Sequence, residues 1–265
     1  EEGKTQPPLV LEGTKMLPSL EGKKFQSEDD TENSFGMAER RFFKKAKISV
    51  IILKKESDAT GQYEVFQRLN TGGTSLSPQE VRNCLMVMTN RNIYIKIKEM
   101  CDYQPFRSTL SINDKAMKER FDMELVTRFI CVRHESVERF ANIRDFSDYL
   151  NDKIIELIND SSINWDEETA VFKRTFDSIN NALGDDAFCK YFPDEHRFKG
   201  GLYIPAFEFV AIAIGCHDGN VDSNRLREKV IEIWKRISNE SINWQGRNHR
   251  TRIKETLGLG DMLYE

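Results

Sequence analysis

Apolar residues recur at three- and four-residue spacing over most of this chain, the period of a helix with one buried stripe. Val65, Phe66 and Leu69 make one short stripe; Val81, Leu85 and Met88 make a second, and Ile93, Ile97 and Met100 continue it. Residues 114–133 read as one long amphipathic helix, with Phe121, Leu125, Phe129 and Val132 on its apolar face. Further helices are predicted over 146–158, 167–183, 202–215 and 225–237. Near Trp165, Asn164 or a preceding serine caps a helix whose first turn carries Asp166, Glu167 and Glu168. Pro205 falls in a first helical turn, where a missing N–H costs little.

The period differs towards the N-terminus. A short helix at AERRFFKKA leads into ISVIILKK, residues 48–55, which is β-branched, apolar and bounded by charged and glycine residues. Leu9 to Leu11 offer one neighbouring strand, but two short strands do not make a stable sheet. Further strands are therefore expected upstream, and the chain reads as the C-terminal piece of something larger. The fold class expected is mainly α, a small α/β remnant followed by a multi-helix domain. The division is residues 1–90, which include the glycine turn below, and 91–265.

Between the strand and the helical body lies FQRLNTGGTSLSPQEVRN, Phe66 to Asn83. Much of it has a structural duty. Asn70 tolerates a helix end, Gly72 and Gly73 accept positive φ, Ser77 caps the next helix, Pro78 takes its first position and Glu80 completes a capping box. Leu76 and Val81 stand at the spacing of a hydrophobic staple. Together these features stabilise the connection by about 1–3 kcal/mol. The second glycine and the two arginines exceed what a capped turn needs. Glycine-turn amides beside a helix N-terminus form an anion site. Arg68 and Arg82, on the helices either side, supply forked donors for phosphate. Asn70, Thr71, Gln79 and Asn83 add polar groups, and Glu80 is an alternative acid or metal ligand, with capping its other role. The GxxxxGK[ST] pattern is absent, so this is no P-loop.

The stretch VFQRLNTGGTSLSPQEVRN resembles the signature of the prokaryotic family typified by the GmrSD modification-dependent restriction enzymes. PPLVLEGTKMLPSLEGKKF, the IILKKES strand and the YEVFQRLN helix follow in that family's order, so the resemblance covers residues 1 to about 130. It implies a ParB-like N-terminal domain, of which residues 1–90 are the C-terminal part, and a helical domain behind it. It also implies restriction of foreign DNA, modified or not, under nucleotide control, with a nucleoside triphosphate and magnesium as cofactors. In complete members this is an NTP-dependent, DNA-endonuclease-like activity. Arg68, Asn70, Thr71, Gly72, Gly73, Gln79 and Arg82 would contact nucleotide or phosphate, with Glu80 beside them. The family's upstream Asp-Gly-Gln-Gln-Arg motif does not occur in this sequence. Either the chain starts downstream of that motif or the motif is lost, and the catalytic residues are left unassigned. The rival expectation is a non-enzymatic helical module that binds another protein. Homo-oligomer formation is left open.

Composition narrows these expectations a little. Net charge is −4, with 39 Lys and Arg against 43 Asp and Glu, which argues against a generic nucleic-acid coat. Two local basic runs stand out, Arg40, Arg41, Lys44, Lys45 and Lys47, and then Arg247, Arg250, Arg252 and Lys254. Each is either a solvated helix face or a phosphate track, and Arg247, Arg250 and Arg252 are the DNA-contact candidates. The longest apolar stretch, about 206–215, is too short to cross a bilayer, so no membrane partner is expected. Five scattered cysteines without a CxxC pair, and no basic-then-apolar leader, indicate reduced thiols in a cytoplasmic protein. His134 reads as a helix-end residue, Cys216 and His217 lack the spacing of a zinc site, and four histidines in all do not make an HNH-type nuclease. The tryptophans, at helical spacing, read as core rather than stacking platforms.

Overall fold

A computed structural model describes residues 9–13, 15–47, 76–244 and 246–265. The chain divides into two compact units between Lys55 and Glu56. The predicted strand over 48–55 and the turn residues Phe66 to Ser75 lie outside the described residues.

In the first unit, isolated bridges join Val10 to Lys24 and Lys24 to Ser34. Helix α1 (Met37–Lys45) follows, with Glu39 accepting a bond from the Gly36 N–H at 2.7 Å. A small aromatic cluster gathers on Phe25, 6.3 Å from Phe35 and 5.5 Å from Phe43. No residue of α1 is buried, and most of the first basic run is solvent-exposed.

The second unit is helical. Its elements are α2 (Pro78–Thr89), α3 (Arg91–Cys101), α4 (Gln104–Ser108), α5 (Asp114–Lys118), α6 (Phe121–Arg133), α7 (Phe146–Asn159) and α8 (Trp165–Leu183). A hairpin of β1 (Lys190–Phe192) and β2 (Arg197–Lys199) comes next, the only sheet among the described residues. Then follow α9 (Ile204–Phe207), a π-helical turn (Glu208–Ile212), α10 (Ala213–Cys216), α11 (Leu226–Asn239) and α12 (His249–Gly260). The mainly helical class expected from the period is the class observed. Helix α2, grouped with the first domain on sequence grounds, packs instead on α3 and α7 of the second unit.

Residues 114–133 are not one helix. Asn113 caps α5, and the chain breaks at Arg120, whose φ of 60° is left-handed. The Glu119 carbonyl, released from a helical bond, accepts the Ser77 hydroxyl at 2.8 Å. After the break α6 is buried on nearly every side, from Asp122 through Val132, rather than along one stripe. It is the central helix, packed by α2, α3, α7, α10 and the π turn. Phe129 of α6 meets Phe172 and Phe176 of α8 at 5.4 and 5.9 Å, and Phe106 of α4 joins them at 5.3 and 4.8 Å. These edge-on and tilted aromatic contacts lie within the buried core.

Helix α12 closes the unit. It packs on the π turn and on the 3-10 helix Val137–Asn142. A side chain at Gly260 would lie 2.9 Å from the Phe209 carbonyl oxygen, so only glycine lets α12 approach that closely.

Candidate functional site

The start of α2 forms as its residues predict. Ser77 Oγ accepts the Glu80 N–H at 3.3 Å, and the Glu80 carboxylate accepts the Ser77 N–H at 2.7 Å. This reciprocal cap satisfies two of the four amides that a helix start leaves open. It also turns the Glu80 carboxylate back on its own helix. No group of three or more His, Cys, Asp and Glu suited to a metal occurs among the described residues.

The face of α2 that enters the core is polar. Gln79, Arg82 and Met86 are buried, whereas Val81 and Leu85 are half-buried and Met88 is 45% exposed. The Arg82 guanidinium, fully buried, donates to Asn151 Oδ1 at 2.9 Å and to the Ser147 hydroxyl and carbonyl at 3.2 and 3.3 Å, all on α7. It also donates to the Gln79 side-chain oxygen. The Gln79 amide in turn donates to Asn83 at 2.9 Å and to Thr127 of α6 at 3.4 Å. A hydrophobic stripe cannot supply such a face; the spacing of 79, 82, 83 and 86 does. Arg82 thus joins α2 to α7, with its guanidinium turned into the packed interface. Arg68, Asn70, Thr71, Gly72 and Gly73 lie outside the described residues.

The C-terminal arginines are also held by their own fold. Arg252 forks onto Glu208, with Nη2 to Oε1 at 2.8 Å and Nε to Oε2 at 3.1 Å. Glu208 is fully buried in the π turn, accepts the Thr256 hydroxyl at 3.0 Å and stands 3.7 Å from the Arg128 guanidinium. Arg128 lies over the Phe146 ring at 4.5 Å and pairs with Glu124 at 2.9 Å. Arg250 donates to the Ile143 carbonyl at 2.7 Å, beside a 2.9 Å contact from His249 to the same oxygen. Arg247 pairs with Glu255 at 3.0 Å, and Glu255 also accepts the Trp244 indole N–H at 2.8 Å. Three arginines spaced along one segment therefore point to three separate internal acceptors and form no continuous track.

A second ionic centre joins α6 to α8. Both oxygens of Glu168 accept from Arg133 at 2.6 Å, and His134 lies 3.0 Å from the same carboxylate. Arg133 reaches on to Asp218 at 2.9 Å and to the Gly215 carbonyl at 2.7 Å. Burial pushes the Glu168 carboxyl up, but hydrogen bonds from His134 and Arg133 outweigh it and hold the group below its ordinary value. His134, expected to serve the end of its own helix, is directed to α8. All three tryptophans are buried, in keeping with core positions.

Two features escaped the sequence reading. The hairpin KYF…RFK was missed because three-residue strands leave almost no alternation to detect. Helix α12 was missed because its buried side mixes Ile253 and Leu257 with Thr256 and Gly260. Asn248, capping the Arg250 N–H at 3.1 Å, was the available signal.

No protein-family model, curated protein or solved structure matches this chain.

Proposed function

We propose that this chain belongs to a restriction-type defence protein acting on foreign DNA under nucleotide control, with phosphate contacted by Arg68 and the amides of residues 70–73. The observation that supports the reading is the start of α2. Ser77 and Glu80 form the reciprocal cap that their own spacing predicts, and Gln79 and Arg82 fasten the first two turns to α6 and α7. With those four side chains holding the helix, phosphate recognition falls to the segment before it. Glycine amides and a forked arginine donor suit a phosphate there. Arg247, Arg250 and Arg252 each have a partner within the fold.

Fluorescence anisotropy with a labelled nucleoside triphosphate and with labelled duplex DNA tests this directly. Arg68→Ala and Gly73→Ala, each checked for native helicity, are expected to weaken binding of both probes by roughly tenfold, as loss of a charge-assisted phosphate contact should. Parental affinity in both variants would falsify the assignment.

The second reading is a protein-interaction module. Val87, Met88 and Ile95 are 41, 45 and 39% exposed on α2 and α3, an apolar surface that a partner helix could cover. Absence of nucleotide and DNA binding in the parent chain would favour it.

A further inference from the structure

The hairpin that the sequence reading missed carries aromatic rings and cations in alternation. In its antiparallel register Lys190 stands opposite Lys199, Tyr191 opposite Phe198 and Phe192 opposite Arg197. Tyr191 and Phe198 pair edge-on at 5.0 Å, with Tyr191 buried. Period-two alternation then puts Lys190, Phe192, Arg197 and Lys199 on the other face. Lys199 lies 5.5 Å from the centre of the Phe192 ring, which is 41% exposed. Lys190 lies 4.2 Å from the centre of the half-buried Tyr203 ring, which the chain brings beneath the hairpin through a 2.8 Å bond from its N–H to the Phe188 carbonyl.

Two recesses, of about 310 and 470 Å³, share Lys190, Tyr203 and Trp244. The first reaches Ser238 and Ser241 at the end of α11; the second reaches Arg252. No aspartate or glutamate lines either one, in a chain with 43 of them. The two cations differ. Arg252 is neutralised by Glu208, whereas Lys190 makes no ion pair among the described residues. Trp234 is part of the first recess's wall.

We propose that this recess binds a nucleoside phosphate, its base stacked on Tyr203 and its phosphate paired with Lys190. A planar base suits the tyrosine face that the ammonium now covers, and base acceptors suit the serine hydroxyls. Phosphate gives Lys190 the anion it lacks. The absence of lining carboxylates removes the repulsion that would otherwise oppose such a ligand. The same chemistry is offered by a free nucleotide and by a nucleotide within a single strand. This inference rests on other residues than the phosphate contact proposed for Arg68 and residues 70–73, and neither depends on the other.

Trp234 and Trp244 line the recess, so their fluorescence reports occupancy. The full chain is titrated with AMP, adenosine and a short oligothymidylate. Saturable emission change is expected with AMP or the oligonucleotide; AMP binding identifies a free-nucleotide site, and binding of the oligonucleotide alone identifies a strand site. Tyr203→Leu should weaken binding roughly tenfold or more and Tyr203→Phe should retain it, since the ring and not the hydroxyl stacks. Lys190→Gln, at an exposed position, should weaken the phosphate-bearing ligands but not adenosine, and flatten the salt dependence. Arg68→Ala should leave this emission change intact, which separates the two sites. No saturable change with any of the three ligands overturns the proposal. So does Tyr203→Leu binding as tightly as the parent, or an acidic peptide without bases competing as well as AMP.

Discussion

Lys190 and Arg252 border the same recess, the one of about 470 Å³, and have opposite surroundings. Arg252 comes from the conspicuous basic run of the chain, yet its guanidinium is clamped by Glu208 from the π turn. Lys190 sits in an unremarkable KYF triplet, yet it has an aromatic ring beneath it and no carboxylate partner among the described residues. The difference teaches that clustering of basic residues in sequence says little about where uncompensated charge ends up. A helix turns successive side chains through about 100°, so neighbouring arginines diverge to separate acceptors. A buried acid elsewhere in the fold can then cancel any one of them.

The largest expected effect comes from removing that acid. Glu208→Ala leaves the buried Arg128 and the half-buried Arg252 without their shared carboxylate, and strips Thr256 of an acceptor. Breaking a buried ion pair from one side typically costs about 3–5 kcal/mol. Urea unfolding should show a loss of that size, with a smaller loss for Glu208→Gln, which keeps the shape and an acceptor. A loss below about 1 kcal/mol for the alanine variant would mean that the π turn does not depend on this network, and the contrast with Lys190 would fall with it.

That network also marks the limit of what could be read in advance. The caps at Ser77 and Asn164 were legible because a cap is local, an acceptor side chain followed two or three residues later by the amide it needs. Helices α7, α8 and α11 were legible because a continuous stripe of large apolar residues fixes both period and face. Arg82 was misleading because its fate depends on Asn151 and Ser147, which lie far along the chain. The all-round burial of α6 depends on neighbours from both ends of the second unit, and the π turn on the fit of Glu208 to α12. Long-range partners of this kind leave no trace in a window of ten residues. The glycine turn keeps its standing as a sequence signal, since residues 66–75 lie outside the described residues.

A smaller effect should appear in acid. Glu168 resembles Glu208 in meeting arginine while buried, and it lies next to His134 and the Asp218-linked Arg133. Its carboxyl loses its proton more readily in the folded chain than its unfolded value of 4.5. The unfolded chain therefore takes up that proton first as pH falls, so the stabilisation is complete above about pH 4.5 and is lost as pH drops through the lower folded value. Denaturant midpoints of the parent should fall more steeply below about pH 4.5 than those of Glu168→Gln. Parallel pH profiles would mean that Arg133 and His134 do not distinguish the charged carboxylate from the neutral one.

The smallest effect is predicted within the arginine run itself, where burial rather than position should rank the three side chains. Arg247 is 46% exposed and its pair with Glu255 is at the surface, whereas Arg252 is 17% exposed and faces an acid with no solvent contact. Exposed pairs contribute about 0–1 kcal/mol, so Arg247→Ala should shift the urea midpoint only slightly. Arg252→Ala, by the reasoning that applies to Glu208, should cost several times more. Equal losses would show that proximity to the Trp244–Glu255 contact matters more than desolvation. The same pair of variants examines the alternative use of this segment. If Arg247→Ala is neutral in stability yet lowers both duplex-DNA affinity and its salt dependence, the exposed member of the run touches phosphate even though its buried neighbour cannot. If affinity and salt slope are unchanged, the whole run belongs to the architecture, and Lys190 is left as the cation by which these recesses are to be judged.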